Sequence, residues 1–247
     1  VSGQRMKTTY FRPGGVWRDV PEEFEKAVRD FIDIMPARLD EYESLLTENP
    51  IFIDRTKGIG VIPKNKALGW GLTGPIARGS GIDYDIRKAH PYTGYENYDF
   101  DVPVQKAGDV YARYQVRVEE MRQSLRIIDQ ALKAFPKGPF RSNNRKFVPP
   151  PRAELGTSME AVIHHFKLWT EGFDAPKGSV YFPVESPRGE LGIFLEGDGG
   201  PKPYRVHWRT PSFSNLQVLS WLAKGHYVAD LIAIIGSIDF VLGDTDR

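Results

Sequence analysis

The chain has 247 residues, 40% hydrophobic and 26% charged, which suits a soluble globular protein with a sizeable core. Its net charge of +1 provides no strong field for nucleic acid or an anionic bilayer. Cysteine is absent, which excludes disulfides, zinc ribbons, cysteine nucleophiles and cysteine-ligated clusters in this chain.

The polar, basic start Val1-Ser2-Gly3-Gln4-Arg5 does not read as a signal peptide. The longest apolar run, Val228 to Ile238, contains Asp230 and falls short of the roughly 20 residues that span a bilayer. Because the first residue is not Met, the chain reads as a fragment, a processed product or a trimmed form.

In chain order, Arg12-Pro13-Gly14-Gly15 is a turn. Asp19 is the expected N-cap of a helix with apolar residues at Phe24, Val28, Phe31, Ile32, Met35, Leu39, Tyr42 and Leu46. Pro36 is expected to kink or split it. Residues 49 to 108 are rich in Gly and Pro, and predict irregular structure with short helices and a small hairpin. A helix over about Asp109–Phe135 carries the stripe Val110, Tyr114, Val118, Met121, Leu125, Ile128, Leu132 and Phe135. Arg113, Arg117, Arg122 and Arg126 lie off that stripe, where a solvated, salt-bridged face competes with a binding patch.

A basic, Pro-rich connector runs from 136 to 152. Thr157 and Glu160 form a capping-box pattern ahead of Val162, Ile163, Phe166 and Trp169. The period then shifts towards two. Strands are expected near Ser179–Val184, Glu190–Leu195 and Tyr204–Trp208, with Gly197-Asp198-Gly199-Gly200 as a turn. Helices near Asn215–Ala223 and Ala229–Ser237 close the chain. The halves divide as 1–152, helical and loop-rich, and 153–247, a helix, a small sheet and terminal helices.

Chemistry-bearing motifs are sparse. His164 and His165 are adjacent on a helix, point to different faces, and lack metal-ligand spacing. Gly71 to Gly81 lacks the Lys-Ser/Thr of a phosphate loop.

Several stretches together resemble one family. Gly3-Gln4-Arg5-Met6, Tyr10-Phe11-Arg12-Pro13-Gly14-Gly15, Asn49-Pro50-Ile51-Phe52, Gly71-Leu72-Thr73-Gly74-Pro75, Ala77-Arg78-Gly79-Ser80-Gly81 and Asp83-Tyr84-Asp85-Ile86-Arg87-Lys88 are the first of them. Glu185-Ser186-Pro187-Arg188-Gly189-Glu190-Leu191-Gly192 and the ending from Ser237 to Asp246-Arg247 complete the set. In order and spacing they resemble the C-terminal portion of the quinone-pocket subunit of respiratory complex I, its D subunit, over essentially the whole chain. That family is related to the large subunit of nickel–iron hydrogenases. The resemblance implies an α+β, mainly helical, hydrogenase-large-subunit-like fold over 1–247, with a small antiparallel sheet in the C-terminal third.

It also implies a part of NADH:quinone oxidoreductase, transferring electrons to quinone with coupled proton translocation. The chain itself would bind no cofactor. Quinone is the substrate, while the iron–sulfur clusters, FMN and NADH reside in partner subunits. The implied partners are the B and C subunits of complex I and its membrane-embedded H subunit. The implied location is peripheral, on the cytoplasmic face of the bacterial inner membrane or the matrix side in mitochondria. The family's His and Tyr nearest the quinone headgroup lie in an N-terminal half outside this sequence. A purely structural assembly subunit without quinone contact is the alternative.

A hydrogenase large subunit ends near Asp-Pro-Cys-x-x-Cys-x-x-His. With its Asp on Asp239, Val241 and Asp244 take the two Cys positions and Arg247 takes the final His. A valine cannot ligate a metal, so no metal site is expected. The resemblance assigns Asp239, Val241, Arg188 and Arg247 to the quinone pocket. Asp239 otherwise reads as a helix-end aspartate, Val241 as a core residue and Arg188 as a hairpin arginine. Arg5 and Lys7 are placed near the terminal cluster of the B subunit. Many relatives carry His at the position of Lys7, and lysine weakens any pH-linked tuning there.

Overall fold

A computed structural model describes residues 3–5 and 8–246. A short antiparallel ladder of β1 (Phe11–Arg12) and β2 (Gly15–Val16) precedes α1 (Phe24–Leu46). The short helices α2 (Pro50–Thr56), α3 (Lys64–Gly69), α4 (Pro75–Gly79) and α5 (Ile86–Ala89) follow, then α6 (Val110–Lys133) and α7 (Met159–Thr170). The strands β3 (Gly178–Ser186), β4 (Gly189–Gly197) and β5 (Arg205–Arg209) form an antiparallel sheet in the order β3–β4–β5. Helices α8 (Pro211–Leu216), α9 (Leu219–Leu222), α10 (Val228–Ile238) and α11 (Leu242–Asp246) end the chain. The fold is α+β and mainly helical, as expected.

Two compact units interleave along the sequence. The first takes residues 1–28, 135–180 and 195–206. In it the Gly14-Gly15 turn packs tightly. A Cβ on Gly14 would lie 2.5 Å from Val148, and Gly14 also has φ +89°. Phe24 meets Phe135 with ring centroids 5.9 Å apart. Ser158, rather than Thr157, caps α7, its hydroxyl accepting from Ala161 N at 3.3 Å. Val162, Ile163, Phe166 and Trp169 remain exposed.

The second unit takes residues 29–134, 181–194 and 207–247. Its core joins Ile62, Ala67, Leu72, Ile76, Ala77, Val110, Val218, Leu222, Ile234 and Ile238. Side-chain caps start its helices. Asn49 accepts from Ile51 N and Phe52 N to begin α2, with Pro50 preset at the first position. Asp109 accepts from Ala112 N at 2.7 Å to begin α6, and from Gly58 N at 2.8 Å to tie down the loop after α2.

Three expectations fail. Helix α1 starts at Phe24, not beside Asp19, whose carboxylate turns back to Val20 N. Pro36 sits inside one continuous helix, so the split is not seen. No strand forms between 49 and 108 among the described residues.

Candidate functional site

The site lies in the second unit, where α10 stops. Tyr227 and Asp230 box its start, with Tyr227 N donating to Asp230 Oδ2 at 3.1 Å. The helix ends at Asp239, which is left-handed at φ 53°, ψ 46°. Aspartate tolerates that conformation better than most residues. The turn lifts its carboxylate off the helix axis and leaves it half-buried.

Arg188, in the turn between β3 and β4, comes to meet it. Its Nε donates to the Asp239 carbonyl at 3.2 Å and its Nη2 lies 3.4 Å from Asp239 Oδ1. Two glycines set that turn against the start of α4. A Cβ on Gly74 would lie 2.5 Å from Gly189 Cα, and one on Gly189 would lie 2.5 Å from Thr73 Oγ1. Asn215 of α8, fully buried, donates to the Arg188 carbonyl at 3.1 Å. Thr73 Oγ1 accepts from Glu190 N at 3.0 Å.

Val241, 40% exposed, follows Asp239. Its backbone N–H donates to Ser212 Oγ at 3.2 Å, and Ser212 N–H donates to Asp244 Oδ2 at 3.0 Å. Val241 and Asp244 thus form a hydrogen-bonded joint onto the start of α8. Arg247 and Lys7 lie outside the described residues, and Arg5 is exposed in the first unit.

Beside this pair lies an ion cluster that the reading by sequence missed. Arg78 of α4 is 1% exposed. Its Nε and Nη2 both reach Glu120 Oε1, at 2.7 and 2.6 Å, and its Nη1 reaches Glu185 Oε1 at 2.9 Å. Asp85 stands 3.6 Å from the same Nη1 and is gripped by both Nε and Nη2 of Arg87, at 3.0 and 2.6 Å. A buried cation is tolerable here because several carboxylates hold it. Burial works against the Asp85 charge, but Arg87 and Arg78 outweigh it and hold its carboxyl below the usual range. For Glu120 and Glu185 burial wins over Arg78, and both carboxyls are pushed up.

Helix α6 supplies two more cations. Arg113 is fully buried with no carboxylate partner among the described residues. It donates to Ser237 Oγ, Gly108 O and Gly60 O at 3.0, 2.8 and 3.0 Å. Burial, reinforced by Arg117, pushes it down to about 9. Arg117 donates to Ser237 O at 2.7 Å, and its buried Nε finds no hydrogen-bond partner among the described residues. Burial lowers its pKa too, with Asp239 and Glu120 pulling the other way. The solvated-face reading holds for Arg122, paired with Asp40 and Glu43, and for Arg126, paired with Asp99 and Asp101. It fails for Arg113 and Arg117.

Two cavities share Arg117 and Asp239 as wall residues. One, of about 540 Å³, is lined by Arg78, Arg87, Tyr95, Glu120, Ser124 and Glu185 among others. The other, of about 450 Å³, is more apolar and is lined by Phe52, Val110, Tyr114 and Ala233 among others. Asp239 is therefore a carboxylate at the junction of a charged chamber and an apolar one.

Such a site, a helix-end carboxylate paired with a hairpin arginine between two chambers, marks a polar–apolar binding scaffold without thiolate ligands. Over residues 1–247 the chain matches the family described as respiratory-chain NADH dehydrogenase, 49 Kd subunit, and it belongs to that family. It is 55% identical over 250 residues to the NADH-quinone oxidoreductase D subunit numbered 2 of Chloroflexus aurantiacus, covering all of this chain and 61% of the relative. It is 55% identical over 247 residues to the NADH-quinone oxidoreductase D subunit of a Thermus thermophilus strain, covering all of this chain and 60% of the relative. The D subunit numbered 2 of a Roseiflexus species is 54% identical on the same pattern. The chain spans about three fifths of the length of these relatives.

The missed residues had a signal of a kind. Arg78 and Glu185 sit within the motifs that carry the resemblance. Arg113 and Arg117 are four apart on a helix, which places them side by side.

Proposed function

We propose that this chain is one wall of the quinone-reduction chamber of an NADH:quinone oxidoreductase. In that enzyme, electrons reach quinone from the terminal iron–sulfur cluster of the B subunit, and their transfer is coupled to proton translocation. NADH, FMN and the clusters belong to partner subunits. The chain docks on the B and C subunits and on the membrane-embedded H subunit, peripherally, at the cytoplasmic face of the bacterial membrane or the matrix side of the mitochondrial one. Among the described residues, no helix is long and apolar enough to cross a membrane.

The observation that carries the reading is the position of Asp239. It faces an apolar cavity that suits a ring and tail, and a charged cavity that suits the oxygens and protons of a quinone. Arg188 fixes that carboxylate and offers a cation to a developing quinone oxyanion. Val241, two residues after Asp239 and 40% exposed, offers apolar surface, and Arg247 a further charge. Arg5 and Lys7 belong near the cluster of the B subunit.

Photo-crosslinking a quinone analogue in the assembled enzyme tests this. Label is expected within residues 239–247, and Asp239→Asn should alter quinone kinetics. Label absent from that segment, with Asp239→Asn kinetics unchanged, would leave the chain an assembly subunit.

A further inference from the structure

Glu120 has the geometry of a group that exchanges protons. Both contacts from Arg78 fall on Oε1, and no hydrogen bond reaches Oε2 among the described residues. The side chain lines the charged cavity and keeps 17% of its surface exposed, so it is held in place yet reachable by water. One turn earlier on α6, Arg117 presents a buried, unpartnered Nε. A buried donor of that kind calls for water or a ligand oxygen. Arg117 lines the same cavity as Asp239. Glu120, Arg117 and Asp239 thus line one cavity.

The other carboxylates of the cluster are less suited. Asp85 is 1% exposed at its side chain and gripped at both oxygens by Arg87. Glu185 has one oxygen on Arg78, and its other accepts from Ile86 N at 3.4 Å. The charged groups that act on Glu120 are Arg78 on α4, Arg87 on α5 and Arg117 on α6, while Glu185 on β3, Tyr95 and Asp239 line the same cavity. Two of these cations, Arg87 and Arg117, make no direct contact with Glu120 yet keep its ionised form accessible.

We propose that Glu120 is the proton donor of this chamber, passing a proton through cavity water beside Arg117 to Asp239 when quinone is reduced. The idea rests on the quinone reading above. Quinone takes two electrons from the partner's iron–sulfur cluster and two protons to become quinol. One of the two protons leaves the Glu120 carboxyl O–H, crosses cavity water to the Asp239 carboxylate and goes on to one quinone oxygen, and the other quinone oxygen takes its proton from water. Bulk water then reprotonates Glu120.

The test uses the assembled enzyme carrying Glu120→Gln or Glu120→Asp, a quinone analogue, and the pH dependence of quinone reduction. In the native enzyme the rate falls as pH rises and the donor loses its proton. In E120Q the analogue still binds and labels the site, the rate drops roughly a hundredfold, and the alkaline fall disappears. E120D restores much of the rate and recovers an alkaline fall at a displaced pH. Labelling at Asp239 together with a native pH profile in E120Q overturns the proposal and leaves the quinone reading standing. No labelling at Asp239 in the native enzyme overturns both. If E120Q does not assemble, E120D decides: a displaced fall supports the donor role and an undisplaced one refutes it.

Discussion

Glu120 couples folding to pH through a single carboxyl. Burial pushes its pKa above the ordinary carboxylate range, and Arg78 offsets only part of that. A folded-state pKa raised above the unfolded one means the group's stabilisation is complete below the unfolded value, and is lost as pH rises through the folded value. Gln cannot ionise. The stability of the native chain should therefore decline relative to E120Q as pH rises through and above the ordinary carboxylate range, and urea midpoints at several pH values measure the gap. Parallel curves for the two proteins would show that Glu120 does not titrate differently on folding. Val241 makes a contrasting residue. It is 40% exposed, and its backbone, not its side chain, makes the joint to Ser212. Val241→Phe should leave stability within about 0.5 kcal/mol. In the assembled enzyme it should shift the response to quinone-site inhibitors several-fold, and superimposable inhibition curves would remove Val241 from the pocket.

At the scale of elements, the turn between β3 and β4 is the part most sensitive to one methyl group. Gly74 has φ +70°, and a Cβ there would meet Gly189 Cα at 2.5 Å and the Arg188 carbonyl at 2.6 Å. Those neighbours are backbone and cannot rotate away. Gly74→Ala should destabilise the chain by at least about 2 kcal/mol by strain and displacement together, read from thermal unfolding. It should also pull Arg188 from Asp239, so quinone kinetics fall with it. A native melting temperature would mean the turn yields more easily than its packing implies. Local pattern made much of this legible in advance. The apolar stripe and Asp109 announced α6, and period-two alternation announced β3, β4 and β5. Tertiary packing hid the rest. Arg113 and Arg117 look like surface arginines on a helix taken alone. They are buried because α6 is covered on more than its apolar stripe, with Gly60 O and Ser237 waiting there as acceptors. Pro36 reads as a break, yet α1 runs on and holds Leu39 fully buried one turn later. Burial there outweighs one lost backbone hydrogen bond.

For the molecule as a whole, the residues that stay uncovered carry as much information as the core. The outer side of α10 and α11 shows Tyr227, Val228, Ile232 and Leu242 at 81%, 85%, 76% and 76% exposure. The opposite side of α10 puts Ile234 and Ile238 into the core. A helix apolar all round is one that expects cover on both sides. Large apolar side chains left this exposed on one helix favour an interface over a free surface. The net charge of +1 gives copies of the chain little mutual repulsion. In solution on its own, the chain should therefore self-associate in a concentration-dependent way. Ile232→Asp on the exposed side should reduce that association and move stability by less than about 0.5 kcal/mol, because its side chain packs on almost nothing. Sedimentation velocity across a concentration series separates the outcomes. Association that persists unchanged in I232D would place the sticky surface elsewhere, with the exposed α7 stripe of Met159, Phe166 and Trp169 the next surface to mutate. Association lost in I232D would place the sticky surface on the exposed face of α10, the helix at whose end Asp239 stands.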